Sequence, residues 1–252
     1  MTSFTDLPSD ILLTIFDKIG AHDILHSAQF VCKEWYNLSL NFQTWSHIDG
    51  TDLIFKELEI ALDRSSGGLI DYETYTLNIQ DYEDLEYVFE RSPQLKTLSF
   101  SCQGWFCPIL EKVLTKASKN CPLINDISAF GFEFDDDFII LIGNLFPNLK
   151  KFRMVGKCDE VSVASITKKM SGLIELQLDM DNFSYADICI RIRAILNGCP
   201  RLQLLGVTIQ MDSDFLLYNL DEDLKQRLKS IKVCEYCSYY GFWNFYMHTW
   251  RI

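Results

Sequence analysis

The chain has 252 residues, of which 48% are hydrophobic and 23% charged, enough apolar content to bury a large core and too much for a disordered segment. Its formal net charge of −12 repels phosphate backbones and anionic head groups, which argues against nucleic acid and membrane surfaces as partners. The sequence holds no apolar run of the about 18 residues that a membrane helix needs, and no basic segment ahead of a short apolar one, so it is expected in the cytoplasm, the nucleus or both. In such a reducing compartment the nine scattered cysteines, among them Cys121 and Cys199 each before a proline, read as small buried hydrophobes.

The first predicted element is a helix. Pro8 suits the first helical position, where its missing N–H costs nothing, and Asp10 complements the positive end of the helix dipole. Ile11, Leu12, Ile15, Phe16 and Ile19 follow at helical spacing, and Gly20 supplies the stop. Asp23 opens a second helix with Ile24, Leu25, Ala28, Val31 and Cys32 on one broad face; a third, shorter helix carries Trp35 and Leu38 before Trp45 anchors the exit. A domain below about 50 residues is marginal by itself, so this apolar excess faces either a partner or the rest of the chain.

The order and near-spacing of Leu7-Pro8, Asp23-Ile24-Leu25, Val31-Cys32-Lys33-Glu34-Trp35-Tyr36 and Trp45 resemble the F-box, over residues 1–48. The resemblance implies that Leu7, Pro8, Ile11, Leu12, Ile15, Val31, Cys32 and Trp35 lie at or under an interface with a Skp-family adaptor, with Trp45 a packing residue. Only six residues precede Leu7, so no separate upstream domain is expected.

After residues 49–72, expected as a linker leading into the next domain, a repeat emerges over 73–233. Its clear copies are Pro93-x-Leu95-x-x-Leu98-x-Phe100, Pro122-x-Ile124-x-x-Ile127-x-Ala129, Pro147-x-Leu149-x-x-Phe152-x-Met154, Leu173-x-x-Leu176-x-Leu178 and Pro200-x-Leu202-x-x-Leu205-x-Val207. Their first apolar positions are 29, 25, 24 and 29 residues apart. Weaker copies fall at Thr74/Leu77/Ile79 and Leu228/Ile231/Val233, giving up to seven. That period fits leucine-rich repeats, each a short strand with a returning helix. The intervening segments 84–89, 109–117, 138–145, 163–170 and 188–196 carry apolar residues at helical spacing, and Asp135 to Asp137 suit a helix N-terminus. An ordinary α/β domain with alternating helices and strands is the competing reading.

Strand side chains alternate, so residues flanking the second leucine point to the concave face of such a solenoid. Thr97, Ser99, Ser128, Lys151, Arg153, Glu175, Gln177 and Asp179 are the candidate target-binding positions. Lys151 and Arg153 are expected within reach of Glu175 and Asp179, which favours mutual neutralisation over a site for an acidic target.

Residues 234–252 form a tail dense in aromatics from Tyr239 to Trp250, read as a cap on the last repeat or a second contact surface. Cys234-x-x-Cys237 has zinc-ligand spacing but no second pair follows, and His22, His26, His47 and His248 accompany no obvious nucleophile and carboxylate. No glycine-rich phosphate loop is present, and no cofactor or metal is expected.

The predicted fold is therefore an α/β repeat: a three-helix N-terminal F-box followed by a short leucine-rich-repeat solenoid. The combination, with Leu62-Asp63-Arg64-Ser65-Ser66-Gly67-Gly68-Leu69 and Phe89-Glu90-Arg91-Ser92-Pro93, resembles the plant Skp-interacting F-box/LRR subfamily to about residue 233, and the tail departs from it. The resemblance implies a non-catalytic substrate-recognition subunit of a Skp/cullin/F-box ubiquitin ligase, joined through the Skp-family adaptor to cullin and binding an unknown protein substrate. The alternative is a leucine-rich-repeat interaction scaffold outside any ligase.

Overall fold

The structure, a computed structural model, describes residues 7–77, 81–102, 108–130, 136–155, 160–179, 184–208, 221–230, 232–236 and 248–249. It divides into two compact units, one of residues 1–102 with 112–124, the other of residues 103–111 with 125–252. Residues 1–48 thus share a unit with the first strands that follow them.

The first unit opens with α1 (Ser9–Ile19), α2 (Ala21–His26) and α3 (Lys33–Ser39), with 3-10 turns at Ala28–Phe30 and Phe42–Trp45. Pro8 caps α1 from outside the first turn, its carbonyl accepting the Ile11 and Leu12 amides at 3.1 Å each. Gly20, at φ 84°, lets α2 follow α1 without a loop, a backbone value that strains any other residue. The second helix starts at Ala21, ahead of Asp23, and stops at His26, so Val31 and Cys32 do not share its face as expected. The Phe30 amide instead bonds to the Ser27 carbonyl and the Val31 amide to that of Ala28, a tighter winding that carries Val31 off the apolar stripe. Leu12, Phe16, Ile24, Leu25, Ala28, Leu38 and Trp45 make the buried core of this segment.

The unit continues through β1 (His47–Asp49), α4 (Phe55–Ser65), β2 (Asp71–Leu77), α5 (Asp81–Arg91), β3 (Thr97–Cys102) and the larger part of α6 (Pro108–Asn120). The three strands are parallel, with His47, Asp71 and Thr97 in register. One device starts each new rung. The Ser46 carbonyl accepts the amides of both Ile70 and Asp71 at 2.8 and 3.0 Å, and the Ile70 carbonyl accepts those of Lys96 and Thr97 at 2.8 and 3.1 Å. This register makes Trp45-x-x-Ile48 and Leu69-x-x-Tyr72-x-Thr74 the equivalents of Leu95-x-x-Leu98-x-Phe100.

Two expectations change accordingly. The weak copy at Thr74/Leu77/Ile79 is five residues out of register, because Tyr72 and Thr74 occupy positions where leucine was sought; Ile79 lies outside the described residues. The segment 49–72 contains a helix and the start of a strand, and so belongs to the repeating β–α pattern.

In the second unit β4 (Asp126–Phe130), α7 (Asp136–Leu145), β5 (Lys151–Val155), α8 (Glu160–Lys169), β6 (Glu175–Asp179), α9 (Tyr185–Gly198), β7 (Leu204–Thr208), α10 (Glu222–Ser230) and β8 (Lys232–Tyr236) alternate, and β9 (His248–Thr249) pairs antiparallel with β8. The strands β4 to β8 run parallel in chain order. The double-acceptor rung recurs at Asn125, Lys150 and Ile174. Leu149, Phe152, Leu173, Leu176, Leu202 and Leu205 are buried, as their places in the repeat predict. A Cβ on Gly143 would collide with Lys169, and one on Gly198 with Thr167, so both glycines permit close approach of neighbouring helices.

Val233 pairs with Leu205, which shifts the last copy by two residues from Leu228/Ile231/Val233. Leu228 is instead a buried residue of α10, and Ile231 lies outside the described residues. Three short helices followed by alternating helices and parallel strands make an α/β repeat of the leucine-rich type. None of the described helices is long and apolar enough to cross a membrane.

Candidate functional site

Two surfaces were singled out by residue, and the structure treats them differently. In the N-terminal segment the helices cover only part of the apolar surface. Phe30 is 72% exposed, Val31 63% and Ile11 45%, and Tyr36, Leu40 and Phe42 are also exposed. Half of the exposed large apolar side chains among the described residues fall between residues 11 and 42. Fully covering one side chain of this size contributes roughly 1.5 to 3 kcal/mol, so a partner seated there has ample driving force.

The other predicted residues grade from surface to core. Pro8 is exposed; Leu7, Ile15, Cys32 and Trp35 are half-buried; Leu12 is buried and supports the surface from beneath. The Trp35 ring meets Phe16 edge-on with centroids 5.4 Å apart, tying α3 to α1, while its Nε1 is buried without a hydrogen-bond partner among the described residues. Cys32 caps α3, its sulfur accepting the Trp35 amide at 3.5 Å. The Glu34 carboxyl is held below its ordinary range by a backbone hydrogen bond and, next, by Cys32.

Phe30, Tyr36, Leu40 and Phe42 were not anticipated. The signal was the 3-10 winding around Ala28–Phe30 and Phe42–Trp45, where a helical period misassigns the outward side. Apolar residues at Phe30 and Phe42 then look like core positions.

The strand surface is less open than the alternation suggests. Ser99 is 8% exposed and Ser128 0%, so neither meets a target as the chain stands, and the Ser128 Oγ has no hydrogen-bond partner among the described residues. In the second unit the longer Arg153 stands in register with Ser128 on the adjoining strand. Thr97, Lys151, Arg153, Glu175 and Gln177 are half-buried and reach the surface; the side chain of Asp179 lies outside the described residues.

Charge on this face is paired. Lys151 Nζ lies 3.1 Å from Glu175 Oε1, as expected. Arg153 turns to the preceding strand, its Nη2 donating to both oxygens of Asp126 at 2.9 and 3.2 Å. Asp126 is nearly buried, and the two charge-assisted contacts from Arg153 offset the cost of holding its charge away from water.

No cluster of three or more His, Cys, Asp or Glu able to hold a metal ion occurs among the described residues. Cys121, Cys189 and Cys199 are buried free thiols, matching their reading as small hydrophobes. Cys237 and most of the aromatic tail, Tyr239 to Met247 and Trp250, lie outside the described residues.

Comparison with known proteins gives this arrangement a family context. Residues 4–51 match the F-box-like family. The chain is 28% identical over 225 residues to F-box/LRR-repeat protein 9 of Arabidopsis thaliana, covering 81% of this chain and 87% of that one. It is 29% identical over 246 residues to F-box/LRR-repeat protein 23 of the same plant, covering 90% and 51%, and 27% identical over 246 residues to F-box protein SKIP19, covering 92% and 76%. The chain thus carries an F-box-like domain ahead of its repeats and is similar over most of its length to F-box/LRR-repeat proteins.

Proposed function

We propose that this chain is the substrate-recognition subunit of a Skp/cullin/F-box ubiquitin ligase, docking through its N-terminal helices on a Skp-family adaptor and presenting its repeats to a protein target. The observation that carries the reading is the coincidence of the F-box-like match with the concentration of exposed apolar residues between Ile11 and Phe42. In this role the chain contributes binding alone, and ubiquitin transfer belongs to other subunits, cullin being reached through the adaptor. Its place of action is the cytoplasm, the nucleus or both. Residues 1–48 serve attachment and the repeats up to about residue 233 serve selection.

A standard interface concentrates its energy in a few anchors. The test is calorimetric titration of a purified Skp-family adaptor into the full chain and into the Leu7→Ala/Pro8→Ala double variant. Binding by the wild type and a weakened variant with unchanged thermal unfolding support the proposal. A wild-type chain that ignores the adaptor supports the alternative, an interaction scaffold outside the ligase.

A further inference from the structure

The helix α4 follows the F-box-like segment, yet one of its side chains reaches back into that segment. Arg64 Nη2 donates to Gln29 Oε1 at 3.0 Å, Nη1 lies 3.5 Å from the Ser39 carbonyl, and the guanidinium carbon sits 5.5 Å from the centre of the Trp45 ring. Gln29 completes the chain of bonds by donating its Nε2 to the Leu25 carbonyl at the end of α2. The residues after Gln29 are Phe30 and Val31, the two most exposed apolar side chains of the N-terminal surface.

We infer that Arg64 is a positioning residue for the partner surface, holding the 3-10 turn that presents Phe30 and Val31 through Gln29. The inference rests on the proposed docking function. Its physical basis is that this turn is short, with the Phe30 and Val31 amides held by single bonds to Ser27 and Ala28. A turn of three residues has little rigidity of its own. Arg64 supplies what it lacks: a planar fork with donors in fixed directions, one arm on the Gln29 side chain and one toward the Ser39 carbonyl, the guanidinium backed by the fully buried Trp45. Lysine, a single flexible point charge, does not span both acceptors. Partial burial lowers the Arg64 pKa, and the guanidinium stays cationic at neutral pH.

The surface is therefore preorganised by a residue that is not part of it, and losing Arg64 raises the ordering cost of binding while every contact residue remains in place. The test uses the full chain, purified Skp-family adaptor, and the variants Arg64→Met, Gln29→Ala and their combination, with calorimetry for affinity and amide exchange for the turn. The expected result is roughly tenfold weaker adaptor binding by R64M, the size of one lost charge-assisted hydrogen bond. Faster exchange at Phe30 and Val31 with unchanged exchange at Lys96 and Thr97 accompanies it, and the double variant loses less than the sum of the two single losses because both variants break the Arg64–Gln29 bond. R64M binding like the wild type, weakened binding with unaltered exchange at Phe30 and Val31, or additive losses in the double variant each overturn the inference. A wild-type chain that does not bind the adaptor overturns the docking function itself, and with it the use of the turn.

Discussion

The indole Nε1 of Trp45 donates to the backbone carbonyl of Ser39 at 2.8 Å, and both residues are fully buried. Trp45 thereby closes the last turn of α3 while standing at the first-leucine position of the first rung, one residue before the Ser46 carbonyl that starts the ladder. It joins the F-box-like segment to the repeats.

That double duty predicts a graded response. Trp45→Phe keeps most of the buried ring and loses the donor, at an expected cost of about 1 to 3 kcal/mol from the poorly satisfied carbonyl. Trp45→Ala adds a cavity and is expected to cost about 3 to 5 kcal/mol. Urea unfolding of both variants checks the order; a Trp45→Phe chain as stable as the wild type would show that the hydrogen bond contributes nothing.

The join has an acid-sensitive contact at the other end of α4. Glu57 accepts the Ile54 amide at 3.1 Å and pairs with His26 at 2.5 Å, and the His26 hydrogen bond, before the Ile54 one, holds its carboxyl below the ordinary value of 4.5. A carboxylate whose folded pKa lies below its unfolded one contributes stability that is present above the unfolded value and lost as pH falls through the folded value. Glu57→Gln removes that contribution, so its stability is expected to fall less steeply than that of the wild type below pH 4.5. Urea midpoints across about pH 3 to 6 read the difference directly.

Two ion pairs on the strand face differ in exposure and should differ in worth. Asp126 is nearly buried under Arg153, whereas Lys151 and Glu175 are more open to solvent. Arg153→Ala is expected to cost about 1 to 3 kcal/mol, because Asp126 then keeps its charge in a nearly dry position without the guanidinium. Lys151→Ala should cost no more than about 1 kcal/mol. Thermal unfolding of the two variants at low and high salt decides it, with salt moving only the second.

Thiol chemistry offers a check on the core. Burial pushes the Cys121 thiol up to about 12 and that of Cys199 up to about 11, and each donates to a backbone carbonyl, of Phe89 and Met170 respectively. Neither is expected to react with iodoacetamide in the native chain at about pH 8, since the thiolate is the nucleophile. Mass mapping after alkylation with and without urea measures this; native labelling of either site would contradict the packing.

The repeat was legible where leucine, isoleucine or phenylalanine filled its positions and failed where they did not. Tyr72 and Thr74 stand at leucine positions with their side chains buried, and no apolar count marks them as such. Trp45 and Ile48 were hidden for another reason: they close a segment whose helical period masks the first strand of the ladder. Among the exposed residues of the N-terminal segment, Pro8, Ile11 and Val31 were expected at a surface; Phe30 and Phe42 were missed because 3-10 turns break the helical period used to assign faces, and Tyr36 and Leu40 lie on and just after the outward side of α3. Arg64 carried no legible signal, since its partners lie 35 and 25 residues away along the chain.

The sequence by itself determined that short helices open the chain and an α/β repeat follows, because apolar spacing dictates which side chains must leave water together, whatever they pack against. Tertiary structure alone decided the register of the first and last copies, the burial of Ser99 and Ser128, and the pairing of Arg153 with Asp126 on the preceding strand. Those outcomes turn on which carbonyl receives the paired amides of the next strand and which side chains adjoining strands bring within reach of one another, relationships between residues distant in the chain that no local pattern encodes.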